Sequence, residues 1–387
     1  MQAFEKKRTQ VDQQTTERTP RPDFKTILMA YLVAGLALCA FSARAGEAKL
    51  YYYQGKDYGS EAIFNPLTVI TNGGFGILQI SNRSNKFSDV DFRRGYKNVT
   101  YNLSHPFKAI EQLGWNNFLS REVIPTSVKF RNAQYYPNYY NHLIGGGFTY
   151  RALADWYRYH QFPQPRIWAF TSWFAYHFLN EVVENNRYSG PNVDPISDFY
   201  VFNTAGFILF SFDKVAGFFA NTLNMRDWSF MPAIDPWLGS IENNGQNFMT
   251  RIKLPYVRNL SLMYHWGTHG MYGLSYHRKR GNTYSLAGGL VVKDLVEIKD
   301  DGSGHGVREL TATLVWTAGV FWDRDNSLMS SLILSGTKGY KARLNIYPGV
   351  VKLGKFSPGF FLNLRKDNQM VLGLHYMLPV GLGRRVR

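Results

Sequence analysis

Six side chains between residues 142 and 198 carry the chemistry this sequence offers: His142, Arg151, His177, Glu181, Glu184 and Asp198. His177, Glu181 and Glu184 stand at i, i+4 and i+7, a spacing that puts them on one face of a helix. Burying a carboxylate among apolar residues is costly unless the group is paired or binds something. Such a cluster is therefore a buried polar network, a general acid–base site or a cation site. For hydrolysis of a lipid or ester, His177 or His142 would serve as base, with Glu181 orienting it. Ser172 or Ser197 would then be the nucleophile, although neither sits in a Gly-x-Ser-x-Gly elbow. The His-x-x-x-Glu-x-x-Glu spacing matches no recognised zinc motif. A structural network joining three helices is the simplest account, and it requires neither cofactor nor metal. In the catalytic alternative the acting residues would be His142, His177, Glu181 and Asp198.

Three helical stretches must position these groups. Residues 141–158 carry small residues on a helical pattern, and residues 167–183 are apolar and aromatic. Asp194-Pro195 opens a third stretch to about residue 219, since an aspartate can cap a helix and proline suits its first position. Asp198 and Asn203 interrupt this otherwise apolar run. No apolar run here reaches the roughly 20 residues needed to span a bilayer. Gly145-Gly146-Gly147 suits close helix packing better than phosphate binding.

Beyond residue 247 the pattern changes to period two. Leu310, Ala312, Leu314, Trp316, Ala318, Val320 and Trp322 share one face of an extended segment, with Thr311, Thr313, Thr317, Gly319 and Asp323 on the other. Ala342, Leu344 and Ile346 alternate with Lys341, Arg343 and Asn345, and a similar run spans Met370 to Leu378. Turn signals at Arg280-Gly281-Asn282, Gly336-Thr337-Lys338-Gly339 and Lys366-Asp367-Asn368 separate these runs. The pattern predicts a membrane β-barrel of about 8–10 antiparallel strands with an appended or inserted α-helical module, an all-β plus α fold. Trp266, Trp316, Trp322, Tyr347 and Tyr376 fall near strand ends, where aromatic girdles would lie. Gly373-x-x-Tyr376-x-Leu378 resembles the terminal-strand signal of outer-membrane proteins.

Bulk properties agree with this. Aromatics make up 16% of 387 residues, yet the mean hydropathy is only −0.28, as alternation would produce. Lys6, Lys7, Arg8, Arg18, Arg21 and Lys25 precede an apolar run, residues 27–41, that ends before Ala43-Arg44-Ala45. This reads as a cleaved signal peptide. The one cysteine, Cys39, lies inside it, so no disulfide or thiolate site is expected. Without residues 1–45 the chain holds 37 basic and 24 acidic residues, a net +13. For an envelope protein that charge points to anionic lipid or lipopolysaccharide and not to nucleic acid. The expected organisation is a signal peptide over 1–45, an irregular periplasmic or interfacial region over 46–137, with a short helix near 65–78 whose Phe75 and Ile77 dip into the membrane. A three-helix module over 138–230, transmembrane strands over 245–379 and a basic tail over 380–387 complete it.

Residues 138–212 also resemble a bacterial envelope family, domain of unknown function 3943. Asn141-His142, Tyr150, Ser172-Trp173, Glu181, Pro195-Ile196-Ser197-Asp198 and Gly206 carry the resemblance, while Leu143 stands where the family tends to have proline. The resemblance implies architecture and compartment, and no activity. Taken together, the reading is an exported outer-membrane barrel with a helical plug and a structural, lipid-interacting or transport-related role. Its partners would be outer-membrane lipids or lipopolysaccharide and, during biogenesis, the barrel assembly machinery. The alternative is an outer-membrane hydrolase acting on lipid A, phospholipid or another envelope ester.

Overall fold

Alternating residues put one face of each extended run against a common interior, and the result is a ladder of thirteen strands. They are β1 (Arg226–Asp227), β2 (Ala233–Asp235), β3 (Ser240–Glu242), β4 (Phe248–Lys253), β5 (Leu260–Trp266), β6 (His269–His277) and β7 (Asn282–Ile298). The rest are β8 (Glu309–Arg324), β9 (Ser327–Ser335), β10 (Ala342–Ile346), β11 (Gly359–Leu364), β12 (Met370–His375) and β13 (Gly381–Val386). The computed structural model describes residues 49–125, 136–298, 309–337, 339–365, 369–376 and 378–386, with Thr26, Met29, Ala30, Val33, Ala34, Gly35 and Ala37. The expected cleavage site at 43–45 and the turn at 366–368 lie outside the described residues.

The strands pair in the order β1-β4-β5-β6-β7-β8-β9-β10-β11-β12-β13-β2-β3, all antiparallel except β13 with β2. From β4 to β13 each strand pairs with the next, a plain meander. Asp325 and Asn326 both take positive φ (49° and 67°) between β8 and β9, as a two-residue hairpin turn demands. The ladder does not close, because β1 and β3 are its edges. Yet residues 228–232 alone link β1, beside β4, to β2, beside β13. Along that link Trp228 and Phe230 donate to Asn247 and Gly245, and Pro232 accepts from Gly381. Both ends of the ladder must therefore lie close together, so the sheet curls. Met249, Met263, Met271, Phe321, Phe361 and Val371, from strands across the sheet, share one buried cluster with Trp228.

The outward face is largely apolar, while the inward face carries polar side chains beside its methionine-rich cluster. Tyr272, Leu274, Leu286, Trp316, Val320 and Leu372 face outward and are exposed, Leu286 to 65%. Ser275, Ser285, Asp323, Ser331, Asn345 and Asn363 face inward and are buried. Two of the girdle aromatics go the other way. Tyr347 is fully buried and donates to Ser229 O at 2.8 Å, and Trp266 packs beneath Tyr264 and Phe248.

Three further expectations need correction. The ten strands β4–β13 match the expected number, but β1–β3 add short strands in a stretch expected to hold none. The residues expected as a basic tail form β13, where alternation is hard to read because two glycines occupy the inward positions. The region 46–137 is not irregular. It holds α1 (Pro66–Gly74), capped by Asn65, α2 (Phe92–Ser104), capped by Asp91, and α3 (Pro106–Leu113). Phe75 and Ile77 pack against Leu78, Val90, Val183 and Ile241 rather than pointing away from the protein.

Three longer helices follow, α4 (Gly147–Tyr159), α5 (Pro165–Glu184) and α6 (Thr204–Ser211). A π-helical segment, Tyr136–Gly146, runs into α4, and another, Ser197–Asn203, runs into α6. Phe148, Tyr150, Trp173 and Phe207 form their shared core, which also takes in Phe248 and Trp266 from the sheet. Trp173, fully buried, donates its indole N–H to Gly146 O at 2.9 Å. A Cβ on Gly206 would stand 2.3 Å from Leu143 O, so α6 meets the first π-helical segment at glycine. Tyr136 bonds to His269 O at 2.9 Å and Gln246 to Thr149 at 2.8 Å, joining helices to sheet.

Candidate functional site

His177 and Glu181 stand one turn apart on the inward face of α5, both almost wholly buried. His142 arrives from the first π-helical segment and Asp198 from the second. A π-helical turn widens the backbone spiral and re-aims side chains, and such turns recur at functional sites. His142 Nε2 lies 3.2 Å from Asp198 Oδ2, and its Nδ1 lies 3.1 Å from Asn203 Oδ1. The His177 ring tilts beside that of His142, with centroids 5.6 Å apart. His142, Glu181 and Asp198 each present a ligand atom within 4.8 Å of the others, as do Glu181, Glu184 and Asp194. The four residues His142, His177, Glu181 and Asp198 are thus brought together as the sequence suggested.

Burial dominates the electrostatics. It pushes the His142 imidazole down to about 4, partly offset by the hydrogen bond to Asn203. Burial, and then the neighbouring His142, hold His177 well below the usual histidine range. Burial raises the Asp198 carboxyl well above its usual range, and the carboxylates of Asp194 and Glu181 push it further. Burial thus disfavours charge on both imidazoles and on Asp198, so the His142–Asp198 contact is more a hydrogen bond than an ion pair. Asn203 Oδ1 can only accept, which fixes the His142 proton on Nδ1 and leaves the Nε2 lone pair facing Asp198.

These groups border a cavity of about 220 Å³ lined by His142, His177, Glu184, Asp194 and Asp198. The lining also takes in Phe248 of β4, Gln246 and Thr268 from the loops beside β4 and β6, and Gln79 of the N-terminal region. Asn138, Asn141 and Asn180 also line it, and sequence reading missed them. The available signal was local: Asn138 and Asn141 flank the helical start beside His142.

Other candidates stand elsewhere. Arg151 pairs with Asp155 at 3.5 Å and Asp213 at 2.7 Å, outside the cluster. Ser172 shares a hydrogen bond with Tyr157 at 2.7 Å, and Ser197 donates to Asp194 O at 2.9 Å. Neither hydroxyl is hydrogen-bonded to a histidine, so the pairing that activates a serine nucleophile is not formed. Asp194 opens a three-residue helix, Asp194–Ile196, one position after the N-cap Val193, and its N–H donates to Asn192 Oδ1 at 3.2 Å.

No family model, curated protein or solved structure matches this chain.

Proposed function

We propose that this chain is an outer-membrane β-barrel protein with a helical plug, acting as a structural, lipid-contacting element rather than as an enzyme. The apolar outward face of the sheet carries this reading. A row of exposed Leu, Val, Trp and Tyr side chains across neighbouring strands is an aggregation hazard in water and the required surface in lipid. The polar inward face would be a liability against hydrocarbon and here bonds within itself, as in Arg251 with Asp323 at 2.7 Å and Asn243 with Asn345 at 2.7 Å. Trp228, Met271 and Phe321 fill the interior, which favours a plugged barrel over a conducting one.

Export by a cleaved N-terminal leader, folding by the barrel assembly machinery and contact with lipopolysaccharide complete the proposal. The basic leader with its apolar run, the resemblance to family 3943 and the net positive charge support them. The hydrolase alternative loses support because Ser172 and Ser197 bond elsewhere.

The test is folding into lipid vesicles. Unheated protein should migrate differently from boiled protein on a gel, with a β-rich circular dichroism spectrum, and outer-membrane lipid mass spectra should not change with expression. Protein that folds and stays monomeric without detergent would overturn the membrane assignment. A defined lipid mass change abolished by Glu181→Gln would overturn the non-enzymatic one.

A further inference from the structure

We infer that His142, Glu181 and Asp198 form a binding site for one divalent cation of the Zn²⁺ or Mn²⁺ class. This does not depend on the compartment or on the role of the sheet. The sequence reading required no metal, because the linear spacing on α5 fits no known motif. The third dimension changes that, since the ligands come from three separate helical segments.

Four observations support the site. First, the three donor atoms lie within 4.8 Å of one another, and the His142–Asp198 pair at 3.2 Å already has the separation of two ligands on one ion. Bonds of about 2.1 Å in a tetrahedral site put neighbouring ligands roughly 3.4 Å apart, so small side-chain adjustments gather the three donors on one ion. Second, the supporting contact of a metal-binding histidine is in place. Asn203 accepts from Nδ1 and so aims the unprotonated Nε2 at Asp198, the arrangement that outer hydrogen-bond partners impose on metal-bound imidazole.

Third, His177, only 3% exposed, lines the same cavity, and its Nε2 has no hydrogen-bond partner. A buried imidazole nitrogen left bare is costly, and a metal-bound water in the cavity would satisfy it. Gly146 makes room for this ring, because a Cβ there would meet His177 Nε2 at 2.9 Å. Fourth, among the described residues no lysine or arginine lines the cavity, although Glu184, Asp194 and Asp198 do. Three carboxyl groups with no cationic side chain among the cavity's lining offer oxygen donors and no competing positive charge. One imidazole with several carboxylate oxygens suits Zn²⁺ or Mn²⁺ and disfavours soft ions such as Cu⁺. The cavity leaves space for water ligands to complete the shell.

The test uses the full chain, folded in detergent with any affinity tag removed. Equilibrium dialysis against Zn²⁺ or Mn²⁺ at pH 7.5, followed by elemental analysis, should give about one ion per chain. Binding should weaken at least 10-fold in Glu181→Gln and Asp198→Asn, and by 10–100-fold in Asn203→Leu through loss of imidazole orientation. His105→Gln, at an exposed helix end, should change nothing. Folded wild-type protein that binds no ion, or binds equally well in Glu181→Gln and Asp198→Asn, would overturn the site. Should those variants fail to fold, X-ray absorption of the loaded wild type decides. One imidazole in an otherwise oxygen shell supports the site, and a shell with no imidazole or with several rejects it.

Discussion

The Arg251 guanidinium of β4 meets the Asp323 carboxylate of β8 at 2.7 Å, both side chains almost fully buried. Three strands separate β4 from β8 in the ladder, which in a flat sheet would put them roughly 19 Å apart at about 4.8 Å per strand. No arginine reaches that far. The pair therefore records how tightly the sheet curls, and Arg251 touches Ser275 and Ser285 on the way. Arg251→Met would leave Asp323 buried without its cation, at a cost of about 3–5 kcal/mol. Denaturant titration in detergent should show that loss, and the double variant Arg251→Met/Asp323→Leu should recover most of it.

The outward face makes a different demand. Leu286 and Trp316 are exposed on neighbouring strands. If they meet hydrocarbon, Leu286→Arg should cost about 2–4 kcal/mol of folding free energy in vesicles. On a surface that meets water the same change would be nearly neutral. Folding yield into vesicles at graded denaturant measures the difference.

Gly206 lets α6 approach the first π-helical segment. A methyl group at this position would stand 2.3 Å from the Leu143 carbonyl, and backbone cannot yield as a side chain can. Gly206→Ala is expected to destabilise the helices by about 1–3 kcal/mol. It should also separate His142 from Asp198, so a lowered thermal midpoint should come with weaker cation binding.

Asp155 fastens the N-terminal segment to α4 by accepting the N–H groups of Tyr51 and Tyr52 at 2.7 and 2.8 Å. Asp155→Ala removes both acceptors at once. Limited proteolysis should then cut within residues 49–58 at a rate well above that of the wild type, while the strands stay protected. Unchanged cleavage would mean that aromatic packing alone holds the segment, for instance Tyr52 on Phe148 at 4.3 Å.

The longer strands were legible because a strand has a fixed period of two and Leu, Trp and Val keep it from residue 310 to 322. The strand β9 was not, since four serines dilute its pattern, and β1–β3 are too short to show a period at all. The helix α2 escaped notice because Arg93, Arg94 and Lys97 mask the spacing of Val99 and Leu103, its buried positions. Within the site, the His177–Glu181 relation could be read from helical spacing alone. The contact of His142 with Asp198 could not, because it rests on two π-helical turns and a glycine contact between segments distant in sequence.

Nitroxide labels attached singly to cysteines at Ser285, Leu286, Ala287 and Leu290, in a Cys39→Ser background folded into vesicles, would ask directly what the sheet faces. Lipid-dissolved oxygen should reach Leu286 and Leu290 while a water-soluble nickel chelate should not, and both reagents should be excluded at Ser285 and Ala287. Free access of the nickel chelate to Leu286 and Leu290 would contradict a lipid-facing wall.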